Sequence, residues 1–162
     1  MDDDRSAVYA AELAAFDGTD LETLEGFAEI ADLMGALTRG SWWCGPTIVV
    51  RPARRDARSS TTRCDLAGPD PAVIRLAEGQ LTVTTAAHEL AHALAGVDRG
   101  HDATFRIAYL DLIEVITNVD PLDRRGALHV RQLSSAFEAA RLGVGERRWP
   151  APPASIVGPI AL

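Results

Sequence analysis

Apolar positions recur three and four apart at both ends of this chain and give way to short β-branched runs in the middle. Val8 or Tyr9, Leu13 and Phe16 keep helical spacing and predict a short helix that stops near Gly18. Asp20, as an N-cap, opens a second predicted helix with Leu24, Phe27, Ile30 or Ala31, Met34 and Leu37 on one face and Gly40 closing it. The pattern then changes. TIVVRPAR (47–54), TTRCDLA (61–67) and AVIRLA (72–77) are short, rich in β-branched residues and separated by turn-forming stretches such as GPDP, which predicts a small, mostly antiparallel sheet. Helical periodicity returns over 82–95, 102–117 and 129–142, the last with Val130, Leu133 and Phe137 on one face and Gly143 after it. The expected class is α+β, a small sheet with flanking helices, forming one domain over residues 1–149. Residues 150–162 are expected to form a proline-broken tail, extended over the surface or mobile.

Composition narrows the picture. A chain of 162 residues with 47% hydrophobic content can bury one real core and has little room for a second. The net charge of −7 argues against a general affinity for nucleic acid or anionic membrane. No apolar run approaches the ~20 residues that span a bilayer, and MDDDRSAVYA lacks the basic-then-apolar pattern of a secretory signal. Cys44 and Cys64 form no C-x-x-C pair, so neither a zinc ribbon nor a disulfide framework is indicated. Two buried, reduced thiols in a cytoplasmic protein is the expectation.

Candidate chemistry concentrates in HELAHALAGVDRGHDATF (88–105). On a helix, His88 and His92 project from the same face one turn apart and can hold one metal ion between them. Glu89 points about 100° away around the axis, which sets its carboxylate beside a metal-activated water rather than on the metal. At this protein's own residue frequencies H-E-x-x-H arises by chance in about one chain in 200, so the surroundings matter. Val83, Ala87, Leu90 and Leu94 form one apolar stripe, and the histidines lie nearly opposite it among Thr84, Ala91 and Ala95, like the floor of a cleft. His101, Asp111 and Glu114 compete to be the third ligand. The core stripe of the next helix is Phe105, Tyr109, Leu112 and Ile116; Asp111 and Glu114 fall on its far side and read as solvated, whereas His101 extends the buried side.

The run H-E-L-A-H, an eight-residue spacer and H-D-x-x-F (His101, Asp102, Phe105) resembles the compact zincins of the SprT-like and WLM type, and a family of actinobacterial zinc metallohydrolases of about this length. The resemblance spans roughly residues 60–117. It implies a minimal zincin-like metallopeptidase core with one Zn²⁺ per chain on His88, His92 and His101, Glu89 as general base, and AVIRLA in the place of the substrate-side strand. The cysteine ribbon that often follows the SprT-like core is missing, so a role in DNA repair does not carry over.

The expected activity is zinc-dependent hydrolysis of a peptide or protein substrate, with a silent, zinc-stabilised binding module as the alternative. Asp102 either orients His101 or caps the following helix, and Tyr109 either stabilises an oxyanion or fills the core. Arg51, Arg54, Arg55 and Arg58 cluster in a predicted first hairpin, with Arg63 beyond; they offer a site for phosphate or an acidic partner, or simply a solvated hairpin. Trp42 and Trp43 fit either packing at the helix-to-sheet junction or an exposed contact, and His129 reads as superficial.

Overall fold

The computed structural model describes residues 4–64, 68, 70–117 and 125–153. Helix α1 (Arg5–Phe16) buries Val8, Ala11, Ala15 and Phe16 and packs against α5 (Arg125–Ala139). The buried face is rotated from the predicted one. Tyr9 and Leu13 are 39% and 61% exposed, because the small Ala11 and Ala15 give the close helix contact that the bulkier residues would prevent.

The predicted helix from Asp20 is split. Asp20–Glu22 makes a single 3-10 turn, and α2 (Phe27–Thr38) begins after Gly26. Between them the Glu25 N–H bonds the Leu81 carbonyl at 2.8 Å, a tertiary pairing that a continuous helix would forgo. Leu24, placed on the core face by periodicity, is therefore exposed.

Three strands, β1 (Ile48–Pro52), β2 (Thr61–Cys64) and β3 (Ala72–Leu76), form one sheet in the order β1-β3-β2. The class is α+β with helices flanking a small sheet, but the sheet is mixed rather than mostly antiparallel: β3 runs parallel to β1 and antiparallel to β2. The first two strands are thus not a hairpin. β3 buries Ala72, Ile74 and Leu76 and takes the centre, while Pro52 and Arg63, which suit edges, lie on β1 and β2. The link from β1 to β2 crosses the end of β3. Ala53 N–H donates to the Leu76 carbonyl (2.9 Å), Ala77 N–H to Ser60 Oγ (2.9 Å), and Ser60 N–H to Gln80 Oε1 (2.7 Å).

Helix α3 (Val83–Ala95) lies against α4 (Ala103–Thr117), and both are buried on nearly every side. Phe105, Tyr109, Leu112 and Ile116 form the predicted α4 stripe. Each such fully buried aliphatic or aromatic side chain contributes about 1.5–3 kcal/mol. The far side of α4 is not solvated as periodicity suggests, because the chain after α5 lies along it. Gly145 N–H bonds the Ala103 carbonyl, Arg147 makes a two-pronged ion pair with Asp111 (2.8 and 2.9 Å), and Trp149 Nε1 donates to Asp111 Oδ2 (2.8 Å). Trp149 is buried, and the Pro150 carbonyl accepts from Trp42 Nε1 at 2.9 Å, so the start of the proline-rich segment is tethered. Residues 154–162 of the expected tail lie outside the described residues. Trp42 and Trp43 are half-buried against the core, which settles them as packing residues.

Asp111→Ala should lower stability by about 2–4 kcal/mol in a urea titration, because it leaves Trp149 Nε1 and Arg147 without their acceptor. Glu114→Ala, one turn on and half-buried, should cost less than about 1 kcal/mol.

Candidate metal centre

Thr82 caps α3 by accepting the Thr85 N–H at 3.1 Å, and the helix then carries His88 and His92 one turn apart with ring centroids 5.0 Å apart. The helix ends at Gly96, whose φ of +116° is a conformation that residues with a Cβ rarely adopt. A second positive φ, +58° at Gly100, turns the chain back and delivers His101 to the same place. Arg106 fixes the turn from within α4. Its Nη1 donates to the His101 carbonyl (2.8 Å) and to Asp4 Oδ2 (2.7 Å), and its Nε donates to the Gly143 carbonyl (2.7 Å).

One ring nitrogen from each of His88, His92 and His101 falls within 4.8 Å of the others. His88 Nε2 and His101 Nε2 are 3.2 Å apart. Two nitrogens bound at ~2.0–2.1 Å with tetrahedral angles would be separated by about 3.3 Å, so this pair already has the spacing of a zinc site. The donor set fits in a second respect. His88 Nδ1 lies 3.1 Å from Glu12 Oε1, which makes Nδ1–H the donor and leaves the Nε2 lone pair facing His101. Tyr109 donates its hydroxyl to the same Glu12 oxygen. Phe105 backs the whole triad, its ring 5.0, 4.4 and 4.8 Å from those of His88, His92 and His101, and Tyr9 stacks on His88 from the other side at 5.4 Å. His88 and His101 are buried while His92 is half-exposed, so the triad opens on one side. That side is a cleft of about 1090 Å³, lined by Glu89, His92 and His101 on one flank and by β2 on the other.

Burial opposes the protonated form of His88, but the hydrogen bond and charge of Glu12, helped by Glu89, outweigh it and hold its pKa above the ordinary value. A bound cation would reverse that preference. Glu89 is 5% exposed. Burial raises its pKa, opposed by the charge of His88 and by the hydrogen bond from Thr62. Thr62 Oγ stands 2.6 Å from Glu89 Oε2 and 3.0 Å from the Glu89 carbonyl. Its single proton can serve one of these acceptors at a time. With Glu89 ionised, Thr62 donates to the carboxylate; with Glu89 protonated, the carboxyl can donate to Thr62, which turns its own proton to the carbonyl. Both protonation states of Glu89 can therefore be satisfied without moving the side chain.

The structure brings together four of the residues picked out in the sequence, His88, Glu89, His92 and His101, and for Asp102 and Tyr109 it shows the cap and the buried position that the sequence also allowed. Asp102 is the α4 cap, its Oδ1 accepting the Phe105 N–H at 3.0 Å, with Arg99 3.6 Å from its other oxygen. Tyr109 is wholly buried with its hydroxyl committed to Glu12, so it is not an oxyanion donor facing the cleft. Burial and then the Glu12 charge push its pKa well above the ordinary phenol value. Asp111 is bound to Arg147 and Trp149, away from the triad. AVIRLA is the central strand, hydrogen-bonded on both sides, so the strand available beside α3 is β2. His129 is not superficial but 5% exposed, with the edge of Phe16 against it. Cys44 is exposed and Cys64 half-buried, so the pair of buried thiols is not found.

Glu12, Tyr9, Thr62 and Arg106 escape the sequence reading. Glu12 and Tyr9 sit on α1, 76 or more positions before the motif, and nothing local marks them. Arg106 carried a detectable signal: it follows Phe105 on a helix whose neighbours are apolar on both sides, a place where a cation needs fixed acceptors. Comparison with family models, curated proteins and solved structures finds no match to this chain. The resemblance drawn from the motif therefore stands on His88, Glu89, His92, His101, Asp102 and Phe105 alone.

Purified protein should carry about one metal ion per chain, measured by inductively coupled plasma mass spectrometry, and His101→Ala should remove most of it. Asp111→Ala and Glu114→Ala should leave the content near normal; loss of metal from Asp111→Ala would move the third ligand to α4. Glu12→Gln should weaken zinc affinity about tenfold or more in a chelator competition, through loss of the charge behind His88.

Proposed function

We propose that the chain is a zinc-dependent hydrolase, most simply a peptidase, working in the cytoplasm with His88, His92 and His101 as the metal ligands and Glu89 as the general base. One observation carries this reading: a three-imidazole cluster opens on a cleft with a buried, hydrogen-bonded glutamate beside it. Zinc held there would supply a Lewis acid for the scissile carbonyl and a water acidified towards neutral pH.

The side chains divide the remaining work. Glu89 accepts the proton of the attacking water and passes it to the leaving amine, and its burial, which raises its pKa, makes it a better base at neutral pH. Thr62 holds the Glu89 carboxylate in either protonation state. Glu12 and Tyr109 keep His88 in one tautomer and orientation, and the Phe105 ring excludes water behind the triad. The edge of β2 offers backbone groups to an extended substrate running past Glu89.

The rival reading, a zinc-stabilised binding module, calls for a site closed by a fourth protein ligand. Among the described residues the ligating group comprises the three histidines, and Glu12 meets His88 at the nitrogen turned away from His101. Among the described residues no helix is long and apolar enough to cross a membrane.

Glu89→Gln separates the two. It preserves side-chain shape and helix propensity, so zinc content and folding should survive, while hydrolysis of a broad peptide library should fall by two to four orders of magnitude. Equal turnover by wild type and variant would place any activity elsewhere. Loss of zinc from the variant would make Glu89 a ligand and remove it as the base.

A further inference from the structure

The face of the sheet turned away from α3 carries an arginine row. Arg51 on β1 and Arg75 on β3 are register partners, and Arg63 on β2 pairs with Val73, the same-face neighbour two residues before Arg75. The three guanidinium side chains therefore leave the sheet on one side, in adjacent strands about 4.8 Å apart. Like charges at paired positions repel and weaken a sheet. Among the described residues no carboxylate forms an ion pair with Arg51, Arg63 or Arg75. All three line the cleft that opens on the triad, as does Arg5 of α1, set over the Tyr9 ring. Glu89, nearly buried, is the one carboxylate among the lining residues described. A chain of net charge −7 thus keeps a local surplus of positive charge at the mouth of its candidate site.

We propose that this cleft selects acidic peptides, whose carboxylates dock on Arg63, Arg75 and Arg51 while the peptide backbone lies along the edge of β2. The proposal rests on the hydrolase reading and names its substrate class. Strand geometry sets the sequence pattern. On β2, Thr62 faces Glu89 and Arg63 faces the arginine row, so an extended peptide paired with β2 presents alternate residues to each side. Carboxylates on the arginine side of such a peptide meet Arg63 on the edge strand first, with the long Arg75 and Arg51 side chains reaching over from one and two strands further in, and the residues between them face the triad. Arginine suits this role because its planar fork bonds a carboxylate with two parallel N–H groups. A peptide is favoured over a nucleic acid because the positive charge, the row together with Arg54, Arg55 and Arg58 of the adjoining β1–β2 link, is a local exception in a chain of net charge −7. A long polyanion would run beyond it over a surface that is negative overall.

The test uses the full-length, zinc-loaded Glu89→Gln protein, so that binding is read without turnover. The probes are fluorescent dodecapeptides of alternating glutamate and alanine, or of alternating glutamine and alanine, followed by anisotropy. Each exposed ion pair is worth about two- to fivefold in affinity, so the glutamate peptide should bind roughly tenfold or more tighter at moderate salt, with the advantage shrinking as salt rises. Replacing Arg51, Arg63 and Arg75 together by glutamine should abolish the preference, and replacing them by lysine should keep part of it, with zinc content unchanged in both.

Equal affinity for the two peptides overturns the proposal. So does a preference that survives the glutamine variant, since the carboxylates would then be reaching the metal. Tighter binding of a single-stranded oligonucleotide of similar length, lost in the glutamine variant, also overturns it and assigns the row to nucleic acid. Turnover of the same peptides by the wild-type protein is a separate readout. A glutamate peptide that binds through the arginines but is never cut supports the docking face and sinks the hydrolase reading. Cleavage of both peptides with equal kcat/KM does the reverse.

Discussion

A guanidinium group inside a protein is tolerated only if fixed oxygens replace the water it has lost, and Arg106 meets that condition with three parts of the chain at once. Asp4 comes from the start of α1, the His101 carbonyl from the turn between α3 and α4, and the Gly143 carbonyl from the segment after α5. Each partner is held because the cation requires it, and each brings something to the centre. α1 brings Glu12 and Tyr9, the turn brings His101, and the segment from Gly143 leads on to the lock of Arg147 and Trp149 on Asp111. Helix α4 thus organises the site through its polar residues as much as through its apolar stripe.

Much of the architecture was legible because it rests on local signals. Strand and helix positions from β1 to α4 follow β-branched runs, helical apolar spacing and the two glycines around the α3–α4 turn. The histidine triad was legible for the same reason, since the spacing of His88 and His92 fixes one edge and Gly96 and Gly100 permit the return to His101. The failures share a physical cause, which is that tertiary partners changed the surroundings of a residue. Asp111 read as solvated because periodicity could not foresee a strap over that face, and His129 read as superficial because α1 covers it with Phe16. The sheet order depends on which strand takes the centre, a competition that local propensity does not record.

The two arginine groups illustrate how burial decides the meaning of one residue type. Arg106 is spent on structure, with its donors facing fixed oxygens. Arg51, Arg63 and Arg75 stand exposed, side by side, on a sheet face where a mixture of signs would be more stable. A sequence reading sees both as members of one arginine-rich population.

The pairing of Glu12 with His88 bridges 76 positions, and that span bears on the order of events during folding. Helix α3 can form early from its own cap and propensity, and it then presents two imidazoles that bind metal only weakly. The oriented tautomer and the third nitrogen appear once α1 has docked and the turn to α4 has closed, steps that carry the loop-closure entropy of distant contacts. The complete three-nitrogen cluster is therefore assembled late. A growing or partly unfolded chain thus exposes the two histidines of the motif without the third and without the carboxylate that orients His88.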